Sequence, residues 1–121
     1  MYWEKELETL PRSDLEALQA KRLTAALQQA VRSPHYGACP AIHAALARGL
    51  DSVERIRELP FTTKEDLRAH YPWGFLAADR KDVVRLHSSS GTTGNPTVVY
   101  HDRHDLASWA NLMARSLFAA G

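Results

Sequence analysis

The sequence predicts an α+β chain, mostly short helices followed by a β-hairpin. Three observations predict it. Caps, prolines and glycines punctuate residues 1–76 at short intervals. From Val83 onward, two short β-branched runs flank a segment of turn residues. Asp102 then precedes apolar residues that recur at three- and four-residue steps. The expected organisation is a helical subregion at 1–76, then a hairpin and one more helix at 77–121.

Each element has its own signal. Ser13-Asp-Leu-Glu16 reads as a capping box, in which Ser13 accepts from the N–H of Glu16 and Glu16 reaches back. A long helix should follow to about Arg32, with Leu23, Ala26, Leu27, Ala30 and Val31 on one face, broadened by Leu15 and Leu18. Pro34 should end it. Pro40 suits the first turn of a second helix, and Gly49 suits its C-terminal cap. Asp51 or Ser52 can cap a third, ending near Leu59–Pro60. Thr63 with Asp66 can cap a fourth, stopped by Pro72. Val83–His87 and Thr97–His101 read as strands. Asp102 caps a last helix whose stripe is Leu106, Trp109, Ala110, Met113 and Leu117. Gly121 reads as a helix C-cap that leads into more chain. No motif recurs at a fixed period.

Composition excludes some function classes. The 121 residues carry 15 basic and 14 acidic side chains, a net charge of +1. That balance gives no electrostatic case for nucleic acid or an acidic membrane surface. No run approaches the roughly 18 apolar residues that span a bilayer, and the N-terminus lacks the pattern of a signal peptide. The lone Cys39 has no internal disulfide partner. The expectation is a soluble, cytoplasmic protein.

The chemistry-bearing stretch is Ser88 to Thr97, S-S-S-G-T-T-G-N-P-T. A phosphate needs donors that converge on its oxygens. Backbone N–H groups in a concave turn supply them, and glycine allows the close approach. Ser88, Ser89, Ser90, Thr92 and Thr93 add rotatable hydroxyl donors around Gly91 and Gly94. Pro96 restricts Asn95. A polar hairpin turn uses the same residues. A Walker loop is absent, because Pro96 stands where its second glycine belongs and no Lys follows. The fingerprint G-x-G-x-x-G is absent too. Composition alone stops at a candidate anion loop.

Residue order adds more. S-S-G-T-T-G-x-P-T between two strands resembles the phosphate loop of the adenylate-forming acyl-CoA synthetase superfamily. The chain most resembles the phenylacetate–CoA ligase family, nearly end to end. The resemblance includes E-T-L-P-R-S-D-L-E-A-L-Q near the start and L-P-F-T-T-K-E-D-L-R-A-H-Y-P-W-G at 59–74. It continues through V-V-R-L-H-S-S-S-G-T-T-G-N-P-T-V-V-Y and D-L-A-S-W-A-N-L-M-A-R-S-L at 105–117. It implies the N-terminal part of the α/β adenylate-forming fold, with 77–121 opening a large, incomplete domain. It also implies ATP with magnesium as a substrate complex, coenzyme A as co-substrate and no prosthetic group. The acid implied is a small aryl acid, phenylacetate first. By resemblance, Ser90, Gly91, Thr92, Thr93 and Gly94 form the cradle, supported by Ser88, Ser89 and Asn95. One departure matters. The position after Gly94 is often Lys in such loops and here is Asn95, which donates without charge.

The family's catalytic residues lie downstream of Gly121 by the same resemblance. The chain is thus expected to be an N-terminal fragment, inactive alone. It is also expected to form homo-oligomers or to associate through a truncated core. Two other readings stand beside it. One is a non-catalytic nucleotide-binding or interaction module; the other is one chain of a split ligase.

The remaining clusters carry less. His35, Cys39 and His43 have a zinc-like spacing, but Pro34 and Pro40 interrupt it and no fourth ligand follows, so no metal site is assigned. Cys39 reads as a small buried or half-buried residue. His101 and His104 read as surface or capping residues, and His70 as a helix-end residue. Trp109 is expected in the core and Trp73 in an anchored loop. Glu54–Glu58 reads as a solvated face with Glu54–Arg57 and Arg55–Glu58 pairs. Lys64, Glu65 and Asp66 are first-turn residues without a catalytic role.

Overall fold

The computed structural model describes residues 2–89 and 96–121. A short helix α1 (Lys5–Glu8) precedes the long α2 (Arg12–Ala30). The expected box at Ser13 does not form. The helix begins two residues earlier, with Pro11 at its cap, so Ser13 already lies inside the first turn. Arg12 instead engages Glu16 in an ion pair at 2.6 Å. Nor does Pro34 simply end this element. It opens a further short helix, α3 (Pro34–Gly37), capped by Ser33. Proline is favoured at a first helical position because its missing N–H is not needed there.

α4 (Pro40–Arg48) ends at Gly49, whose φ of 82° is a conformation that glycine takes without cost. The expected third helix is a 3₁₀ turn at Val53–Glu58, capped by Ser52. Glu54–Arg57 and Arg55–Glu58 pair across it at 2.9 and 3.0 Å. α5 (Lys64–Ala69) carries the full capping box of Thr63 and Asp66. The hydroxyl and backbone N–H of Thr63 both donate to Asp66 Oδ2, each at 2.7 Å. They hold the Asp66 carboxyl below its usual range.

The core of the helical part is small. Leu27 of α2 meets Ile42 and Ala45 of α4 and Leu50 beyond it, with Leu23, Val31, Tyr36, Cys39, Leu46 and Leu59 packed around. Ser33 is buried and satisfied. Its hydroxyl donates to the Ala30 carbonyl at 2.7 Å and accepts from the Tyr36 N–H at 3.3 Å.

A second 3₁₀ turn (Arg80–Asp82) leads to β1 (Arg85–Ser88), which pairs antiparallel with β2 (Val98–His101). The register sets Arg85 against His101, Leu86 against Tyr100, His87 against Val99 and Ser88 against Val98. The hairpin therefore starts later than Val83, although the Val84 N–H already donates to His101 O at 2.9 Å. The α+β class stands: the described residues form helices and a two-stranded antiparallel sheet.

α6 (Arg103–Ala120) follows β2 directly, capped by Asp102 with Asp105. Its apolar stripe is not a core face. Trp109, Met113 and Leu117 are 43%, 52% and 66% exposed. The N-terminal segment packs on a neighbouring face instead. Trp3 meets Phe118 with ring centres 5.7 Å apart, and its indole N–H donates to Asn111 Oδ1 at 2.8 Å. Asn111 in turn donates to Glu4 at 3.1 Å, and Arg115 pairs with Glu8 at 3.4 Å. An indole brings a polar N–H as well as a ring, so it settles where an acceptor stands beside an apolar surface. Among the described residues, no helix is long and apolar enough to cross a membrane.

Candidate functional site

The stretch singled out by sequence lies where the hairpin's strands end. Ser88 closes β1 opposite Val98. One step on, the Ser89 N–H donates to Thr97 O at 3.1 Å, and the two hydroxyls of Ser89 and Thr97 hydrogen-bond each other. The Ser88 hydroxyl reaches Ser89 O at 3.5 Å, a weak contact. Ser90, Gly91, Thr92, Thr93, Gly94 and Asn95 lie outside the described residues. The sequence reading places Ser88 and Ser89 with the loop. The structure adds Thr97, which residue type alone did not distinguish from the rest of the strand.

Both faces of the hairpin are braced by aromatic side chains. Along a strand, neighbouring side chains point to opposite faces. Tyr100 stacks on Trp73, with centres 4.8 Å apart and planes at 22°. The Arg80 guanidinium sits 4.2 Å from the centre of the same indole. On the other face, His87 and His101 lie 4.9 Å apart, and both meet Trp109, at 5.1 and 5.7 Å. Trp109 is thus a brace against the sheet, not a core residue, because this part of α6 faces a narrow hairpin that covers only one side of the indole. Burial pushes the Tyr100 phenol up, Tyr71 adds to this, and Arg80 opposes it.

The turn that carries Trp73 is held from the helical part. The His35 N–H donates to Gly74 O at 2.8 Å, and the Gly74 N–H donates to His70 O at 2.8 Å. His35 Nδ1 and His70 Nε2 lie 3.4 Å apart, while His70 Nδ1 sits 2.9 Å from Asp66 O. His35 also packs on Phe75 at 4.2 Å between ring centres. These contacts separate His35 from the zinc-like spacing, and His43 Nε2 binds Gly37 O at 2.8 Å. Among the described residues, no three His, Cys, Asp or Glu side chains converge as metal ligands. An open groove of about 780 Å³ runs between the helical part and the hairpin. Gln29, Tyr71, Phe75, Asp82, Tyr100 and His101 are among the residues that line it. No sequence motif announces this groove, because its walls come from separate stretches of the chain.

No protein-family model matches the chain. Curated relatives do. The chain is 45% identical over 122 residues to the phenylacetate–coenzyme A ligase of Thermus thermophilus, covering all of this chain and 27% of the relative. It is 43% identical over 119 residues to that of Escherichia coli, covering 95% and 26%. The enzyme of the same name from Pseudomonas putida is 53% identical over 72 residues, covering 60% and 16%. Among solved structures, a 2-hydroxyisobutyryl-CoA ligase in complex with 2-HIB-AMP and CoA superposes with a TM-score of 0.81 at 30% identity. That match covers 94% of this chain and 25% of the other. The chain spans about a quarter of the length of the Thermus and Escherichia relatives. In sequence it corresponds to that share of a phenylacetate–CoA ligase, and in fold to an N-terminal part of an adenylate-forming CoA ligase.

Proposed function

We propose that this chain supplies the phosphate-holding loop of an ATP-dependent aryl-acid–CoA ligase, with phenylacetate as the acid. One observation carries the reading. The S-S-G-T-T-G segment leaves and re-enters a paired hairpin whose ends are tied together at Ser89 and Thr97. In the proposed reaction, the acid's carboxylate attacks the α-phosphate of magnesium-bound ATP. Pyrophosphate leaves and an acyl-adenylate forms. The thiol of coenzyme A then displaces AMP to give the thioester. The loop's share is positioning and charge stabilisation of an in-line displacement. Ser90, Gly91, Thr92, Thr93 and Gly94 form the cradle in this reading, and Ser88, Ser89 and Asn95 support it. Asn95 adds a donor without the charge of a lysine, so affinity for triphosphate rests mainly on the backbone and hydroxyl donors.

The chain alone does not complete the reaction in this reading; the remaining machinery belongs to the part of the ligase that it does not match. The test is Thr92→Ala with Thr93→Ala in a full-length ligase carrying this segment. ATP–pyrophosphate exchange with phenylacetate should fall at least tenfold, about the scale of a lost transition-state contact, with the melting temperature unchanged. Exchange at the parent rate would remove the loop from the mechanism.

The open stripe of α6 favours a second reading, one chain of a split ligase. Intact mass under denaturing conditions from the native source separates the two. A mass near 13.5 kDa supports the split form, and a mass several times larger supports a continuous ligase.

A further inference from the structure

We infer that the outward face of α6 is an interface, and that its occupant is an apolar part of the same ligase polypeptide outside this segment. The inference rests on the reading of this chain as part of a continuous ligase. A surface helix ordinarily buries its apolar side and turns its polar side to water. α6 does the reverse. From Leu106 to Ala120 its one charged residue is Arg115, which is half-buried and pairs with Glu8 at 3.4 Å. Asn111 turns to the same segment, accepting from the Trp3 indole and donating to Glu4. The N-terminal segment thus covers the side that carries the polar groups. Trp109, Leu112, Met113 and Leu117 are left exposed. The Ser116 hydroxyl beside them donates to the Leu112 carbonyl at 2.9 Å, within the helix itself. No charged side chain stands on this face to solvate it.

The face continues onto the sheet. Val99 lies opposite His87 in the register and two positions before His101, so it points to the side on which both imidazoles meet Trp109. It too is exposed. A contiguous apolar surface of this kind marks a place where something docks. The length of chain outside this segment says what that is. This chain spans 27% of the Thermus relative and 25% of the CoA ligase on which it superposes with a TM-score of 0.81. In both, most of the polypeptide lies outside the matched part and packs on a fold of this shape. The outward face of α6 accepts an apolar element without desolvating a charge.

The experiment compares this chain with a full-length ligase that carries it. Met113 is the one methionine of the segment after Met1, and peroxide converts an accessible methionine to its sulfoxide. Peptide mapping should show Met113 oxidised about tenfold more slowly in the full-length ligase than in the isolated chain, because the face is covered there. Equal rates in the two overturn the inference. A dimeric isolated chain that Met113→Glu makes monomeric puts a second copy on the face and overturns it as well. Met113→Glu and Leu117→Glu should each lower the melting temperature of the full-length ligase by about 5 °C or more and leave that of the isolated chain in place. Lys21→Glu, at an exposed position of α2, should shift neither. Should a glutamate prevent the full-length ligase from folding, Leu117→Ala should still lower its melting temperature by about 2–4 °C. Unchanged melting in that variant counts against the inference equally. Protection of Met113 in a full-length protein that forms no phenylacetyl-CoA upholds the interface and removes the proposed activity.

Discussion

Trp73 lies flat against Tyr100, their ring centres 4.8 Å apart and their planes 22° from parallel. The contact joins a turn of the helical part to the second strand of the hairpin, and Tyr100 is half-buried beneath the indole. Tyr100→Leu should destabilise the chain by about 1 kcal/mol, the scale of an aromatic pair. Tyr100→Phe keeps the stack and should cost less. The pH dependence has a definite sign. Because the phenol is pushed above its ordinary 10.0 in the fold, the folded state holds its proton longer. The contribution to stability is whole below the ordinary value and is lost as pH rises through the raised one. Urea denaturation from about pH 8 to about pH 11, spanning the ordinary phenol range, should show that loss in the wild type and a smaller one in Tyr100→Phe.

Two glycines should respond differently to alanine. At Gly49 an added Cβ meets nothing within 4 Å, but φ is +82°. The cost there is backbone strain alone, about 1–2 kcal/mol. At Gly74 an added Cβ falls onto the Cβ of His70 and 2.6 Å from its carbonyl oxygen. Backbone must move, and the expected cost is about 2–4 kcal/mol. Gly74→Ala should also disturb the His35–His70 contact, visible in the imidazole resonances, whereas Gly49→Ala should leave them in place.

The two capping boxes make a matched pair of tests. Asp102→Ala should cost about 1 kcal/mol through the first turn of α6. At α5, the carboxyl of Asp66 is held below its ordinary 3.8 chiefly by the Thr63 hydroxyl, then by the Thr63 N–H. A depressed carboxyl contributes stability that is whole above the ordinary value and lost as pH falls through the lowered one. Asp66→Asn should therefore flatten the acid side of the stability profile, and Thr63→Ala should flatten it in part. Melting curves from about pH 6 down to about pH 2, spanning the carboxylate range, measure both.

The exposed stripe of α6 should tolerate charge in this chain. Met113→Glu and Leu117→Glu alter side chains that are more than half exposed, so stability should move by no more than about 0.5 kcal/mol. Leu27→Ala, in the core with Ile42 and Ala45, should instead cost about 2–5 kcal/mol. Chemical denaturation of the three variants side by side checks the contrast.

Much of this architecture was legible in the residues because it depends on local chemistry. Thr63 with Asp66, Asp102 before its helix, and Pro40 with Gly49 each declared an element end through contacts within a few positions. The order of serines, threonines and glycines from Ser88 to Thr97 pointed to the family by resemblance, while most of the cradle read from it lies outside the described residues. Where the local pattern misled, a competing neighbour won. Arg12 took the Glu16 carboxylate that a box at Ser13 required, and Ser33 made Pro34 a beginning instead of an end. Only the tertiary structure decided which face of α6 is covered. Periodicity reports that a stripe is apolar, not what lies against it. Trp3 chose the face that offers Phe118 for its ring and Asn111 for its N–H. The pairing of Trp73 with Tyr100, distant from it in the chain, was likewise set by how the helical part and the hairpin come together.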